Sequence, residues 1–348
     1  MFCFVPHSSM NMSDNESSYS YEYESGCNED NTTDFPNRQT VMLVLYYVLF
    51  CLGLLGNSTV LWVLLRYIKL KTMTDVCLLN LALSDLLLTV SLPLWAYSSQ
   101  SLVSCKVMTG VYQLGFYSGT LFVTLMSVDR YLAIVHAVAA VRARTFRYGI
   151  TASITIWVIS VIMAVPQVIF ATLETDTDGS QCQPIYPEDS KNFWKLRRNF
   201  SENTVGLFVC LPIMVFCYVK ILIVLSKCRN SKKNRAVKLI FTIVCLFVVC
   251  WVPYNVTVFL QTLEQLQILN NCNVSTAISS ALNFAEIIAL SHCCVNPVVY
   301  ALIGEKFRKS LGSVLSKYVS WSYLTRNTLS QGDTTEKETS HTPVRSDY

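Results

Sequence analysis

Asp85 and Glu286 each stand as the single Asp, Glu, Lys or Arg of a long apolar stretch, residues 76–105 and 277–303. A carboxylate at membrane depth is costly and persists only with a partner, so each marks a candidate functional position. Asp85 ends the run Asn80-Leu-Ala-Leu-Ser-Asp85, and Asn57, His292 and Asn296 fall at comparable inner depths of other stretches. Joined, these four residues satisfy one another's hydrogen bonds. Such a cluster can hold a sodium ion near Asp85, or it can be interhelical glue alone. Glu286 lies near the outer end of its stretch, where it can pair with a cationic ligand or with a cation on a neighbouring helix. Asp129-Arg130-Tyr131 closes another stretch at the opposite boundary; taken alone, an acid–base pair there is equally an interfacial anchor. The sequence offers no metal-ligand cluster and no nucleophile–base pair, so neither enzymatic chemistry nor a cofactor is expected.

The elements that hold these residues are read from composition. Of 348 residues, 52% are hydrophobic and 14% charged, against roughly 25% charged in soluble domains. The apolar residues gather into seven stretches, 41–65, 76–105, 107–128, 148–173, 203–226, 239–263 and 277–303, each long enough for the about 20 residues that cross a bilayer. The expected fold is an all-α membrane protein, a seven-transmembrane helix bundle over 38–304. A short amphipathic eighth helix over 305–316 follows. Lys and Arg gather in alternate connections: Arg66, Lys69 and Lys71; Arg142, Arg144 and Arg147; 227–235; and Lys306, Arg308 and Lys309. That side is cytosolic by the positive-inside rule, which puts the N-terminus outside and the C-terminus in the cytoplasm. A basic inner face suits anionic membrane lipids, and no nucleic-acid partner is needed to explain it. No leader peptide is legible in the first residues, so the first span is expected to act as signal anchor. Pro93, Pro166, Pro212, Pro253 and Pro297 interrupt five spans and permit kinks where neighbours satisfy the freed carbonyls.

Residues 1–37 form an acidic tail with seven Asp or Glu and no Lys or Arg, expected to be disordered. Asn11, Asn15 and Asn31 are glycosylation acceptors there, and Asn199 and Asn273 are further candidates on the same side. Tyr19, Tyr21 and Tyr23 alternate with Ser20, Glu22 and Glu24, a context that favours sulfation and would add charge able to steer a basic protein ligand. Residues 317–348 form a Ser/Thr-rich cytoplasmic tail, suited to receptor kinases and arrestin. Five cysteines face the oxidising side: Cys3, Cys27, Cys105, Cys182 and Cys272. Spacing alone does not choose their pairs.

Gly56-Asn57, Leu81-Ala-Leu-Ser-Asp85, Cys105, Asp129-Arg130-Tyr131, Trp157, Cys250-Trp251-Val-Pro253 and Asn296-Pro297-Val-Val-Tyr300 occur in that order. Together they resemble a rhodopsin-like, class A G-protein-coupled receptor. Within that class the chain resembles the chemokine receptors, most of all the CC group. This likeness rests on Ser127-Val-Asp-Arg-Tyr-Leu-Ala-Ile-Val-His136, Arg235-Ala-Val-Lys-Leu-Ile240, Ser291-His-Cys-Cys-Val-Asn-Pro297 and Gly304-Glu-Lys-Phe-Arg308.

The resemblance implies Cys105–Cys182 and Cys27–Cys272 disulfides, with Cys3 left over. It implies that Trp95, Tyr112, Tyr254 and Glu286 line the ligand cavity, with Trp251 as its floor. It also implies that Arg130, with Tyr218 and Tyr300, rearranges to admit a G protein. The implied function is to bind a basic chemokine at the plasma membrane and activate an inhibitory-class heterotrimeric G protein, with calcium mobilisation and chemotaxis. A non-signalling scavenger, a captured viral receptor and, more remotely, an ion-coupled transporter are the alternatives. The last predicts repeat symmetry that the sequence lacks. Several departures from the family pattern stand out. The 95–105 connection is short and lacks a Trp-x-Phe-Gly stretch, Ser91-Leu-Pro93 replaces Thr-x-Pro, and Pro212 falls two residues late, with Cys210 in its place. The 227–238 segment has no acid to lock Arg130, and the tail after Cys294 has no cysteine to carry an acyl anchor.

Overall fold

In hydrocarbon every backbone N–H and C=O must be satisfied within the chain, which leaves the helix as the element for an apolar stretch of this length. The computed structural model describes residues 38–68, 70–97, 101–136, 145–176, 179–227, 231–269, 272–303, 307–313 and 316. Among them are seven helices long and apolar enough to cross a membrane. The first four are α1 (Arg38–Arg66), α2 (Met73–Tyr97), α3 (Leu102–Val135) and α4 (Phe146–Phe170). The fifth span is composite: α5 (Lys191–Asn203), a π-helical segment Thr204–Cys210, and α6 (Leu211–Lys227). Then come α7 (Ser231–Gln265) and α8 (Cys272–Ile303), and residues 307–313 are again helical, with Phe307 buried. A row of exposed apolar side chains on α4, among them Ile154, Val158, Ile162 and Ile169, marks the face turned to lipid.

Polar residues turn inward instead. Asn57, Ser84, Asp85, Thr89, Ser118, Ser127 and Ser160 have no exposed surface, and α3 runs through the middle of the bundle in contact with α2, α4, α6 and α7. Thr72 and Asp75 start α2 as a capping box. The Asp75 carboxylate accepts from the Lys71 and Thr72 amides, and the Asp75 amide donates to the Thr72 hydroxyl. Trp157 of α4 donates to Asn80 of α2 at 2.9 Å, and Asn80 donates to Ser153 at 3.2 Å. A hairpin, β1 (Ala171–Asp176) paired antiparallel with β2 (Gly179–Pro184), follows α4. The Cys105–Cys182 disulfide ties it to the first turn of α3. Lys106 donates to the carbonyls of Val168 and Ile169, capping the end of α4 where a cation meets the negative end of the helix dipole.

Two sequence readings are corrected here. Cys105 belongs to α3, because the second helix ends at Tyr97 rather than running to residue 105. The fifth span starts at Lys191, so Lys195, Arg197 and Arg198 lie on a helix and not in a loop. Pro212 lies inside the composite fifth span, where the π segment passes into α6, so it interrupts that span as expected. Pro93, Pro166, Pro253 and Pro297 do lie inside helices.

The glycosylation expectation at Asn199 also fails. Its side chain is buried in α5 and donates to Gln265 at 3.4 Å, so it has no room for a glycan. Asn273 lies in the first turn of α8, but its side chain is outside the described residues, as are Asn11, Asn15, Asn31, the tail tyrosines and the expected Cys27–Cys272 bond.

The C-terminal end of α7 closes with two reverse-turn bonds, Gln267 N–H to Glu264 O at 2.8 Å and Ile268 N–H to Leu263 O at 3.0 Å. This Schellman arrangement puts Gln267 at φ 57°, a left-handed conformation suited to glycine. Gln267→Gly is expected to stabilise the protein by about 1 kcal/mol, read as a higher unfolding midpoint in detergent. An unchanged or lower midpoint would refute the strain.

Candidate functional site

The half of the bundle interior nearer the β1–β2 hairpin is built from residues one helical turn apart. On α7, Trp251 and Tyr254 share a face, with ring centroids 5.7 Å apart. Trp251 also packs against Phe116 of α3 at 4.9 Å, Phe247 at 6.1 Å and His292 of α8 at 5.1 Å. It is 2% exposed, so any motion must displace this ring cluster. Tyr112 and Tyr254 are buried beside it, Glu286 is buried on α8, and Pro253 lies within α7 between Trp251 and Tyr254. Trp95 is on α2, with its side chain outside the described residues.

The centre of this region is a group that sequence reading missed. Glu202, 2% exposed, receives Arg198 Nε at 3.4 Å and Gln113 Nε2 at 3.4 Å on one oxygen, and the Tyr254 hydroxyl at 3.1 Å on the other. Tyr117 and Ser201 hydroxyls meet 3.0 Å apart on the same α3–α5 seam. The signal was available: Arg198 and Glu202 are four apart, an ion-pair spacing on one helical face. It was passed over because the apolar run starts only at Asn203, and the charges before it read as a loop. Just inward, Gly206 of the π segment lets Asn255 of α7 approach closely; a Cβ at Gly206 would come 2.6 Å from the Asn255 Oδ1.

Midway through the bundle, Asn296 donates to Asp85 at 2.8 Å and His292 Nε2 lies 3.5 Å from the other Asp85 oxygen. Asn57 does not reach Asp85; it donates to the carbonyls of Cys293 at 2.9 Å and Gly53 at 3.0 Å. The Asn296 amide ties α8 to α2 through one Asp85 oxygen, whereas the other, Oδ1, and the buried Asn57 Oδ1 have no hydrogen-bond partner among the described residues. Hard cations take oxygen ligands, so these two oxygens are the part of the cluster that fits a sodium ion, and the His292 imidazole is the part that does not.

At the end of the bundle where α2 begins, the Thr74 hydroxyl of α2 donates to Asp129 at 2.6 Å, and Arg130 lies 3.2 Å from the same carboxylate oxygen while also bonding the Thr74 hydroxyl. Thr74 is a second residue that the sequence did not single out. Tyr131 bonds His136 at 3.0 Å and stacks near Phe216 at 5.6 Å. Tyr218 is buried against Phe241 of α7, ring centroids 5.5 Å apart. Tyr300 lies in α8 beyond Pro297, its side chain outside the described residues. The arrangement thus holds an arginine at this end of the bundle by contacts within α2 and α3.

Comparison with known proteins agrees with this geometry. The model of the seven-transmembrane receptor (rhodopsin) family matches residues 56–300. C-C chemokine receptor type 4 of Homo sapiens is 46% identical over 270 residues, covering 76% of this chain and 75% of that receptor. C-C chemokine receptor type 8 of Homo sapiens is 42% identical over 300 residues, 83% of each chain, and that of Mus musculus is 44% identical over 291 residues, 81% of each. With seven spans, the α3-to-hairpin disulfide and the Asp129-Arg130-Tyr131 and Asn296-Pro297 motifs in place, the chain is a multi-pass membrane protein, a receptor and not an enzyme, and belongs to the chemokine receptor family of rhodopsin-like G-protein-coupled receptors.

Proposed function

We propose that this receptor sits in the plasma membrane with its N-terminus outside, binds a basic C-C chemokine, and activates an inhibitory-class heterotrimeric G protein to give calcium mobilisation and chemotaxis. The observation that carries the reading is the C-C chemokine receptor identity of relatives that align over four-fifths of the chain. The buried Glu286 supports it as an anionic anchor for a ligand cation. The acidic tail supports it as an electrostatic guide, strengthened by sulfation of Tyr19, Tyr21 and Tyr23 and tethered by a Cys27–Cys272 bond. The held Arg130 supports coupling, since an arginine pinned to Asp129 and Thr74 can be released toward a partner entering from the cytosol. Arrestin and receptor kinases act on the Ser/Thr-rich tail.

The test is calcium release against a panel of purified C-C chemokines, with and without blockade of the inhibitory G proteins. A response to at least one chemokine that the blockade abolishes is expected. Chemokine uptake with no nucleotide exchange at any concentration would instead establish the scavenger reading.

A further inference from the structure

While Arg198 and Glu202 turn into the bundle, the opposite face of α5 turns out of it. Phe193, Arg197, Phe200 and Thr204 follow at spacings of four, three and four residues and so share one stripe, and all four are exposed. Phe193 is 62% exposed, Phe200 44% and, further along the span, Phe208 52%. In a membrane protein, exposed rings at this spacing mark a face covered by lipid. Arg197 is thus a cation on the lipid face, one turn from a phenylalanine on either side. Glu188 and Glu202, at the two ends of α5, are engaged by Lys191 at 3.1 Å and Arg198 at 3.4 Å. A guanidinium in this position takes its counter-charge from the surrounding membrane.

Its place along the span says which anion that is. Lys220, also exposed, lies further down the same span, about 35 Å from Arg197 at a rise of about 1.5 Å per residue. The hydrocarbon core of a bilayer is roughly 30 Å thick. Between the two cations the exposed side chains include Phe200, Phe208, Val215, Phe216 and Val219, and no charged side chain is exposed. Arg197 and Lys220 therefore bracket one hydrocarbon thickness, which sets each at the level of the phospholipid phosphates. Each also rests on a ring: the Arg197 guanidinium is 5.1 Å from the centre of Trp194, and the Lys220 ammonium 5.8 Å from that of Phe216. The Trp194 platform is held in turn by Phe170 of α4 at 4.6 Å and by Phe193 at 5.5 Å. Stacking uses the flat face of a guanidinium. Its N–H donors lie in the plane and stay available to fork onto two phosphate oxygens. A lysine ammonium has no such fork, so the built site is the one at Arg197.

We propose that Arg197, stacked on Trp194, is a phospholipid-binding site at the membrane boundary beside the β1–β2 hairpin. It takes the phosphate diester of one lipid, whose acyl chains lie along Phe200 and Phe208. The site stands apart from the chemokine reading and requires only that the fifth span crosses a bilayer.

The probe is a phosphatidylglycerol carrying a diazirine on the acyl carbons next to the glycerol, added to full-length receptor in a sugar detergent that contains no phosphate. The matching diazirine diacylglycerol, which lacks the phosphate, is the control. After irradiation, labelling of the Phe193–Phe200 peptide is read by mass spectrometry relative to labelling around Leu52 and Leu55, exposed on α1. Phosphatidylglycerol is expected to label the α5 peptide preferentially, and diacylglycerol to show no preference. At subsaturating lipid, Arg197→Gln should lower the ratio on the order of tenfold, the loss of hydrogen bonds between two charged groups. Trp194→Leu should lower it about threefold, through loss of the ring beneath the guanidinium. Arg197→Lys, which keeps the charge and loses the fork, should fall between the unmodified receptor and Arg197→Gln. Should Arg197→Gln fail to fold, Arg197→Lys and Trp194→Leu decide the matter. Equal ratios in the unmodified receptor and these variants, or equal preference from diacylglycerol, would overturn the proposal. Loss of the preference in millimolar inorganic phosphate would also overturn it, by making the free ion and not the lipid the ligand.

Discussion

Gly115→Ala is expected to lower the unfolding midpoint of the purified receptor by roughly 5 °C or more and to reduce its surface level in cells. A Cβ at position 115 would lie 2.9 Å from the Leu88 amide nitrogen, 2.9 Å from Leu88 Cγ and 3.0 Å from the Ser84 carbonyl oxygen. Two of these are backbone atoms of α2, which cannot rotate away, so α2 and α3 must separate along their whole contact. Overpacking of this kind costs about 1–3 kcal/mol, and here it opposes the gain of about 1 kcal/mol that alanine ordinarily brings to a helix interior. Gly119, one turn further along α3, supplies the control: its Cβ would meet only Ser84 Cβ at 3.8 Å, an ordinary contact. Gly119→Ala should therefore leave the midpoint unchanged or raise it. Equal effects at the two positions would mean that helix propensity, and not the α2–α3 approach, governs both.

Arg130→Ala is expected to abolish agonist-driven nucleotide exchange in membranes while agonist affinity measured without G protein stays within about twofold, since independent distant sites do not couple strongly. Arg130 and its partners Asp129 and Thr74 form one end of the α2–α3 seam, whereas Glu202 and Glu286 lie in the opposite half of the bundle. Thr74→Val removes the hydroxyl shared by Asp129 and Arg130 and should act in the opposite sense, raising exchange in the absence of agonist. Full exchange in Arg130→Ala at matched surface level would remove the arginine from coupling and return the scavenger reading to first place.

Seven spans and their order were legible in the sequence, because a bilayer imposes a length and a polarity that a single chain must display residue by residue. Asp85, Trp251 and Arg130 were legible for the same reason: a charge or an indole in an apolar run is visible without knowing its neighbours. The structure brings Asp85 to Asn296 and His292 as the four-residue reading anticipated, but turns Asn57 away to the α8 backbone. Hydrophobicity could not set where helices end beyond the hydrocarbon. Lys191–Asn203 is polar, so it read as a loop, yet its backbone continues the fifth span as a helix and carries Arg198 and Glu202 inward. The π segment that follows is likewise invisible to a period of 3.6 residues, although the displaced Pro212 was its trace. Asn199 fits a glycosylation pattern as a string and is excluded only by its burial against Gln265. The sequence determined the bundle through the solvent it must live in. Which polar side chains meet inside it was decided by helix rotation and register, which depend on contacts between residues tens of positions apart.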